Sequence, residues 1–208
     1  MRYAMKAKKQ TAYHHGDLRK SLISHALAIV NEEGIARLTL RKVARQAGVS
    51  HAAPAHHFKD MQGLLAAIAE EGFEKMERQM IAAVDGIPGE KSLERFKTLG
   101  KAYISFAVRN PADLRIMFHP RLVDKQPYPG LERAATSAFS LLTAAIRDCQ
   151  EKKQVRAGDI RLLSLFAWST VHGLSILALD NQLVSTGLNE KLDDYTEDLI
   201  DLLISGMV

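Results

Sequence analysis

Residues 39–58 read TLRKVARQAGVSHAAPAHHF, and this stretch decides the fold of the N-terminal part of the chain. Thr39 is a residue type that caps a helix N-terminus, and Leu40, Val43, Ala44 and Ala47 follow at the spacing of one helical face. Gly48 accepts the positive φ of a tight helix stop, a conformation that side chains resist. Ala47 is small enough for two helices to approach closely, Val49 fills the junction, and Ser50 reads as the cap of a second, short helix. Pro54 then falls in the first turns, where a missing N–H costs little. Helix, tight turn and short helix form the layout in which the second helix enters the major groove of DNA while the first braces the backbone.

Working outward, helical periodicity continues almost throughout, and no strand-like alternation persists. Upstream, Asp17 reads as a cap, with Leu18, Leu22, Ala26, Ile29 and Val30 at helical spacing up to Gly34. Downstream, Asp60 caps a long helix to about Val84, and Pro88-Gly89 closes it. A fifth helix fills Ser92 to Arg109, and Asn110-Pro111 opens a short sixth. Residues 120–130 hold Pro120, Pro127 and Pro129 and read as a loop. Long helices then cover about 131–153, 160–184 and 190–205, separated at Gly158-Asp159 and at Gly187 to Asn189. The expected fold is all-α with about nine helices. It comprises a basic arm (1–16), a three-helix helix-turn-helix domain (17–60) and a larger helical bundle (61–208), with the helix over 60–84 connecting the two.

Hydrophobic residues make up 47% of the 208 and charged residues 25%, ample material for a soluble folded core. Cys149 is the sole cysteine, which excludes an intrachain disulfide and a cysteine metal cluster and fits a reducing cytoplasm. The N-terminus is basic but lacks the apolar stretch of a secretory signal. Residues 1–60 carry eleven Lys and Arg against four Asp and Glu, a net of +7, whereas the remainder nets −3. Such a split suits a polyanion-binding head on a neutral body, and taken by itself equally suits an ordinary solvated surface. Leu162–Leu179 has no charged residue over nearly the length of a bilayer span. Ser164, Ser169, Thr170, His172 and Ser175 interrupt it, and no second segment could share a membrane, so a buried bundle helix is the expectation.

Catalytic motifs are missing: there is no Gly-x-Ser-x-Gly, no phosphate loop and no His-Glu-x-x-His. His14-His15 and His56-His57 are adjacent pairs, poorly spaced for chelation from one helix face. The expectation is a protein with no catalytic residues, no metal and no cofactor.

The residues of the opening stretch resemble the TetR family of transcriptional regulators. Its signature is a Ser/Thr-capped helix, then Ala-Gly-Val-Ser, then a short helix ending in aromatic-x-His-Phe, then a Lys. Thr39, Ala47-Gly48-Val49-Ser50 and His57-Phe58 match in order and spacing, and YHHGDLRKSLISHALAIVNEEG is similar to the family's first helix. Two positions depart: Ala55 stands at the usual aromatic and Met61 at the usual Lys, so two backbone contacts expected in the family are lost. The resemblance implies that Ser50, His51 and Ala52 face base edges, with His51 donating to a purine and Ala52 meeting a thymine methyl. Thr39, Arg41, Lys42 and Lys59 would contact phosphates, and His56 and His57 phosphates or bases. Arg2, Lys6, Lys8 and Lys9 would follow the backbone or enter the minor groove, or form a solubilising tail.

The second half resembles the sensor domain of the same family, and Trp168 followed by His172-Gly173 resembles its Trp-His-Gly subgroup. Tyr103, Phe106, Leu114, Met117, Phe118, Phe166, Trp168 and His172 are the candidate walls of a pocket for an apolar or aromatic small molecule. The same side chains equally suit a plain core. Leu163, Val171, Leu174, Leu177, Tyr195, Leu199 and Leu203 offer two C-terminal helices for a four-helix homodimer interface. The function implied is a repressor that binds a near-palindromic operator as a dimer, on the nucleoid of a bacterial-type cytoplasm, and is released by an effector. A protein of this fold with weak or non-specific DNA binding, acting as a small-molecule or protein-binding module, is the alternative.

Overall fold

The computed structural model describes residues 15–122, 128–187 and 192–208. The arm residues Arg2, Lys6, Lys8 and Lys9 lie outside the described residues. Nine α-helices and no strand occur among the described residues. The chain divides into two compact units, one ending at Leu64 and the other running Leu65–Val208.

In the first unit, α1 (His15–Glu33) packs against α2 (Leu40–Gln46) and α3 (Ala53–Phe58). Leu22, Ala26, Ile29, Val43 and Ala44 are fully buried, and Phe58 closes the core from α3. Each such side chain contributes about 1.5–3 kcal/mol of transfer energy, less for alanine. Asp17 lies within α1 as described (His15–Glu33) rather than ahead of it. Thr39 does cap α2: its hydroxyl accepts the Lys42 N–H at 3.2 Å. Gly48, at φ 67°, completes the stop of α2: its N–H donates to Arg45 O, and the Val49 N–H reaches back to Ala44 O at 3.0 Å.

Ser50 is not the cap of the next helix. Residues 50–52 form a turn in which the Ala53 N–H donates to Ser50 O, and α3 begins at Ala53 with Pro54 in its first turn. Proline has no N–H to lose there, so the helix starts where Pro54 is tolerated. Lys59 ends α3 at φ 68°, ψ −58°, and the Asp60 N–H donates to Phe58 O across it at 2.8 Å. This is a γ-turn of the strained hand. The Asp60 carboxylate then accepts the Gly63 N–H at 2.8 Å and caps α4 (Met61–Val84).

In the second unit, α5 (Ser92–Arg109) is the central element and packs against α7 (Pro129–Glu151), α8 (Ile160–Leu179) and α9 (Leu192–Ser205). Its buried stripe is Phe96, Leu99, Tyr103 and Phe106. The Arg95 guanidinium donates to Val84 O and Ile87 O, closing the carbonyl end of α4. Asn110 does not cap the short α6 (Pro111–Met117) with its side chain. Its amide donates to Phe106 O at the end of α5, and its oxygen accepts from Lys75.

Helix α7 begins at Pro129, inside the stretch read as loop. Helix α8 stops at Leu179, short of the expected Val184, because Asn181 adopts φ 55° and the Gln182 N–H turns back to Leu177 O. Cys149 is wholly buried on α7, and burial pushes its thiol up to about 11.

Helix α8 is not buried on all sides. Leu162, Leu165, Phe166 and Leu177 are exposed along it, and Leu202 is 68% exposed on the neighbouring α9. The inward face of α8 is instead Leu163, Ser164, Ala167 and Val171. Of the residues expected at a dimer interface, Leu163, Val171 and Leu203 therefore face the core of their own chain. Leu177 is exposed, and Leu174, Tyr195 and Leu199 are half-buried. Apolar residues stand on both the inward and the outward side of α8, so its outward face carries Leu162, Leu165 and Phe166 together with the expected Leu177.

Candidate functional site

Two places in the molecule could carry function, one in each unit. In the first, the buried side of α3 is Pro54 and Phe58, four residues apart. Helical geometry puts Ala52, Ala55, His56 and Lys59 on the opposite side, and all four are exposed. Ser50 and His51 are exposed in the turn just ahead. Two alanines make this face low, so nothing large keeps the helix backbone away from a partner surface.

Thr39 and Arg41 are exposed at the start of α2, as is Arg45 in its last turn. Lys42 stands differently: it is half-buried, and its ammonium pairs with the Glu33 carboxylate. His57 is half-buried beside Phe58, ring centroids 6.1 Å apart. The Arg19 guanidinium lies over the Phe58 ring, 5.7 Å from its centroid. The aromatic side chain thus joins α1 to α3 and holds the outward face in place.

Gly63 is a position the sequence reading missed. A Cβ there would stand 1.9 Å from the Phe58 carbonyl oxygen, so α4 starts against the end of α3 only because the residue has no side chain. The turn at Lys59 is what brings those two backbones together.

The second place is a cavity of about 570 Å³ inside the second unit. Tyr103, Phe118 and Trp168, expected at a pocket, do line it. Phe106, Leu114 and Met117 do not; they are fully or almost fully buried in the solid core. Phe166 does not either, being 43% exposed on the outward face of α8. His172 stands behind the wall, where Tyr103 Oη lies 2.7 Å from its Nδ1.

The missed lining includes Phe73, Met76 and Met80 of α4 and Glu132, Thr136 and Phe139 of α7. The α4 residues stand at helical spacing on one apolar stripe, a signal present in the sequence.

The wall is an aromatic cluster. Phe118 is 4.6 Å from His172 and 5.8 Å from Trp168, Trp168 is 5.6 Å from His172, and Phe139 closes on Trp168 at 6.1 Å. Burial lowers the His172 pKa and raises that of Tyr103 above its ordinary value, against a hydrogen bond from Trp168 that lowers it. Both shifts favour neutral rings, which share one hydrogen bond between Tyr103 Oη and His172 Nδ1 whose donor is set by the imidazole tautomer. Among the described residues, no group of three or more His, Cys, Asp or Glu could hold a metal ion.

Comparisons with known proteins bear on both units. Residues 96–203 match the model of the tetracyclin repressor-like C-terminal domain, and residues 22–68 match that of the bacterial regulatory proteins of the tetR family. A nucleoid occlusion factor SlmA from Aliivibrio fischeri is 38% identical over 105 residues, 48% of this chain and 50% of that protein. The chain thus spans about half the length of that relative. An HTH-type transcriptional regulator BetI from Serratia proteamaculans is 49% identical over 49 residues, 24% of this chain and 25% of that one. Among solved structures, a protein of unknown function from Rhodococcus sp. RHA1 superposes with a TM-score of 0.78 at 30% identity, covering 95% of this chain and 99% of that one.

Proposed function

Because this chain belongs to the TetR family of bacterial transcription regulators, we propose that it is a ligand-responsive repressor that grips a near-palindromic operator as a homodimer. The observation that carries the reading is the outward face of α3. Ser50, His51, Ala52, Ala55, His56 and Lys59 are all exposed on a short helix and its leading turn, ahead of a Pro54–Phe58 anchor. Ala52 and Ala55 let the helix lie deep in a major groove, where His51 and His56 donate to base edges. Thr39, Arg41 and Lys59 hold phosphates and set the register.

The partner surface of the dimer is the exposed apolar stripe of α8, Leu162, Leu165, Phe166 and Leu177, continued by Leu202 of α9. Such a stripe on two adjacent helices buries its area when paired with a copy of itself about a two-fold axis. The dimer then presents two recognition helices to successive turns of the duplex. An effector in the cavity acts through α4, which is one continuous helix from Met61 to Val84 and contributes Phe73, Met76 and Met80 to the wall. It releases DNA only to the extent that it binds the DNA-incompetent state more tightly.

Specificity for an operator is tested by comparing binding to the intergenic DNA beside the gene with binding to random duplex at matched, stated salt. Preference by a hundredfold or more supports the proposal. One observation favours a second reading, non-specific duplex binding: Lys42 is engaged by Glu33, and Ala55 and Met61 offer no charge or phenol to a phosphate. Equal affinity for both duplexes would establish that reading instead.

A further inference from the structure

The cavity wall is aromatic and aliphatic, and among the described residues that line it Glu132 alone carries a formal charge. No described base stands within ion-pair distance of that carboxylate. The neighbouring polar groups do not supply one: Tyr103 and His172 are held neutral by burial. Other acids border the same turns of α7. The Glu70 carboxylate lies against Gly130, and Glu77 accepts the Ser137 hydroxyl at 2.6 Å. Arg133 is exposed next to Glu132, and Arg78 is shared with Glu74 at 3.7 Å. An anionic guest would therefore meet one carboxylate that repels it, with no described cation on the wall to offset that repulsion. A cation would be attracted by that carboxylate, and the aromatic and aliphatic lining suits an apolar body around its charge.

We infer that this cavity takes a lipophilic cation, its apolar body against Phe118, Phe139 and Trp168 and its positive charge at Glu132. The inference rests on the effector reading above for its regulatory meaning, but not for the binding itself. A volume of about 570 Å³ is that of a drug-sized guest. Phe139 and Glu132 are both exposed, so they form the cavity's mouth, and the charge of the guest stays partly hydrated there.

Tetraphenylphosphonium and tetraphenylborate have nearly the same shape and opposite charge, and they separate charge from hydrophobicity. Trp168 is the only tryptophan and lines the cavity, so its fluorescence reads occupancy in the full chain without DNA. The expected result is saturable quenching by the phosphonium with at least about tenfold tighter binding than the borate. Glu132→Gln should bring the two within about threefold of each other, and raising the salt of the native chain should narrow the gap in the same direction. Glu70→Gln, outside the lining, should leave the preference intact.

Equal or tighter binding of the borate, no saturable binding of the phosphonium, or a preference undiminished in Glu132→Gln would overturn the inference. Selective cation binding that leaves duplex affinity unchanged would sink the effector reading alone.

Discussion

Replacing Gly63 by alanine puts opposing effects in one side chain. In an exposed helix the exchange stabilises by about 1 kcal/mol, because alanine has less backbone entropy to lose. At Gly63 the new Cβ would lie 1.9 Å from the Phe58 carbonyl oxygen and 3.0 Å from its carbon. Both atoms are backbone, so no rotamer relieves the clash. The end of α3 and the start of α4 must part by about 1 Å, an overpacking that costs about 1–3 kcal/mol.

The same shift loosens the Asp60 cap on Gly63, worth about 1 kcal/mol more. The net expectation is a loss of roughly 1–3 kcal/mol, which for a chain of this size lowers the melting temperature by about 3–10 °C. Duplex affinity should fall by about tenfold or more, since each lost base contact is worth about 1–3 kcal/mol. Gly48→Ala is the control: its φ is 67° but nothing lies within 4 Å, so it incurs only the conformational cost of about 1–2 kcal/mol. A Gly63→Ala protein that melts at or above the native temperature and binds duplex undiminished would refute the reasoning.

Thr39→Ala removes the cap on Lys42 N–H, which costs about 1 kcal/mol, and should weaken duplex binding in a fluorescence anisotropy titration more than His172→Ala does. Tyr103→Phe removes the hydroxyl bonded to His172 Nδ1 and should cost about 1–2 kcal/mol in denaturant melts. Burial lowers the His172 pKa from 6.5, so the unfolded chain takes up that proton first. The stability it contributes is present above pH 6.5 and is lost as pH falls below it, and His172→Phe should flatten that part of the melting profile. Leu165→Glu combined with Leu202→Glu places charge on the outward stripe of α8 and α9. The pair should give a folded monomer by sedimentation, while Ser169→Glu alone weakens the dimer less.

The parts of the fold legible in the sequence are those where backbone chemistry is specific. Gly48 could only be a left-handed stop, and Ser92 and Asn110-Pro111 bracket α5 to the residue. Ser50 was misleading because serine caps helices and also sits comfortably in turns; what set the start of α3 was Pro54. Asn181 ended α8 by adopting a conformation usually marked by glycine. The outward face of α8 was ambiguous for a different reason. Leu162 and Leu163, and Leu165 and Phe166, are apolar neighbours, so periodicity cannot choose between them. In the cavity, Phe118 and Trp168 stand out by residue type, whereas nothing adjacent to Glu132 in the sequence marks it as part of a pocket. Its place at the mouth depends on how α4 and α7 pack, which no local pattern encodes.

The state of Cys149 makes the chain ready for site-directed labelling. A buried thiol displaced to about 11 holds only a trace of thiolate at neutral pH, so maleimides and spin-label reagents pass it by. A cysteine engineered at exposed Ser50 is then the one reactive sulfur, with no background substitution to make and repack. Pulsed dipolar spectroscopy between two such labels would measure the separation of the recognition helices directly, with and without a guest in the cavity.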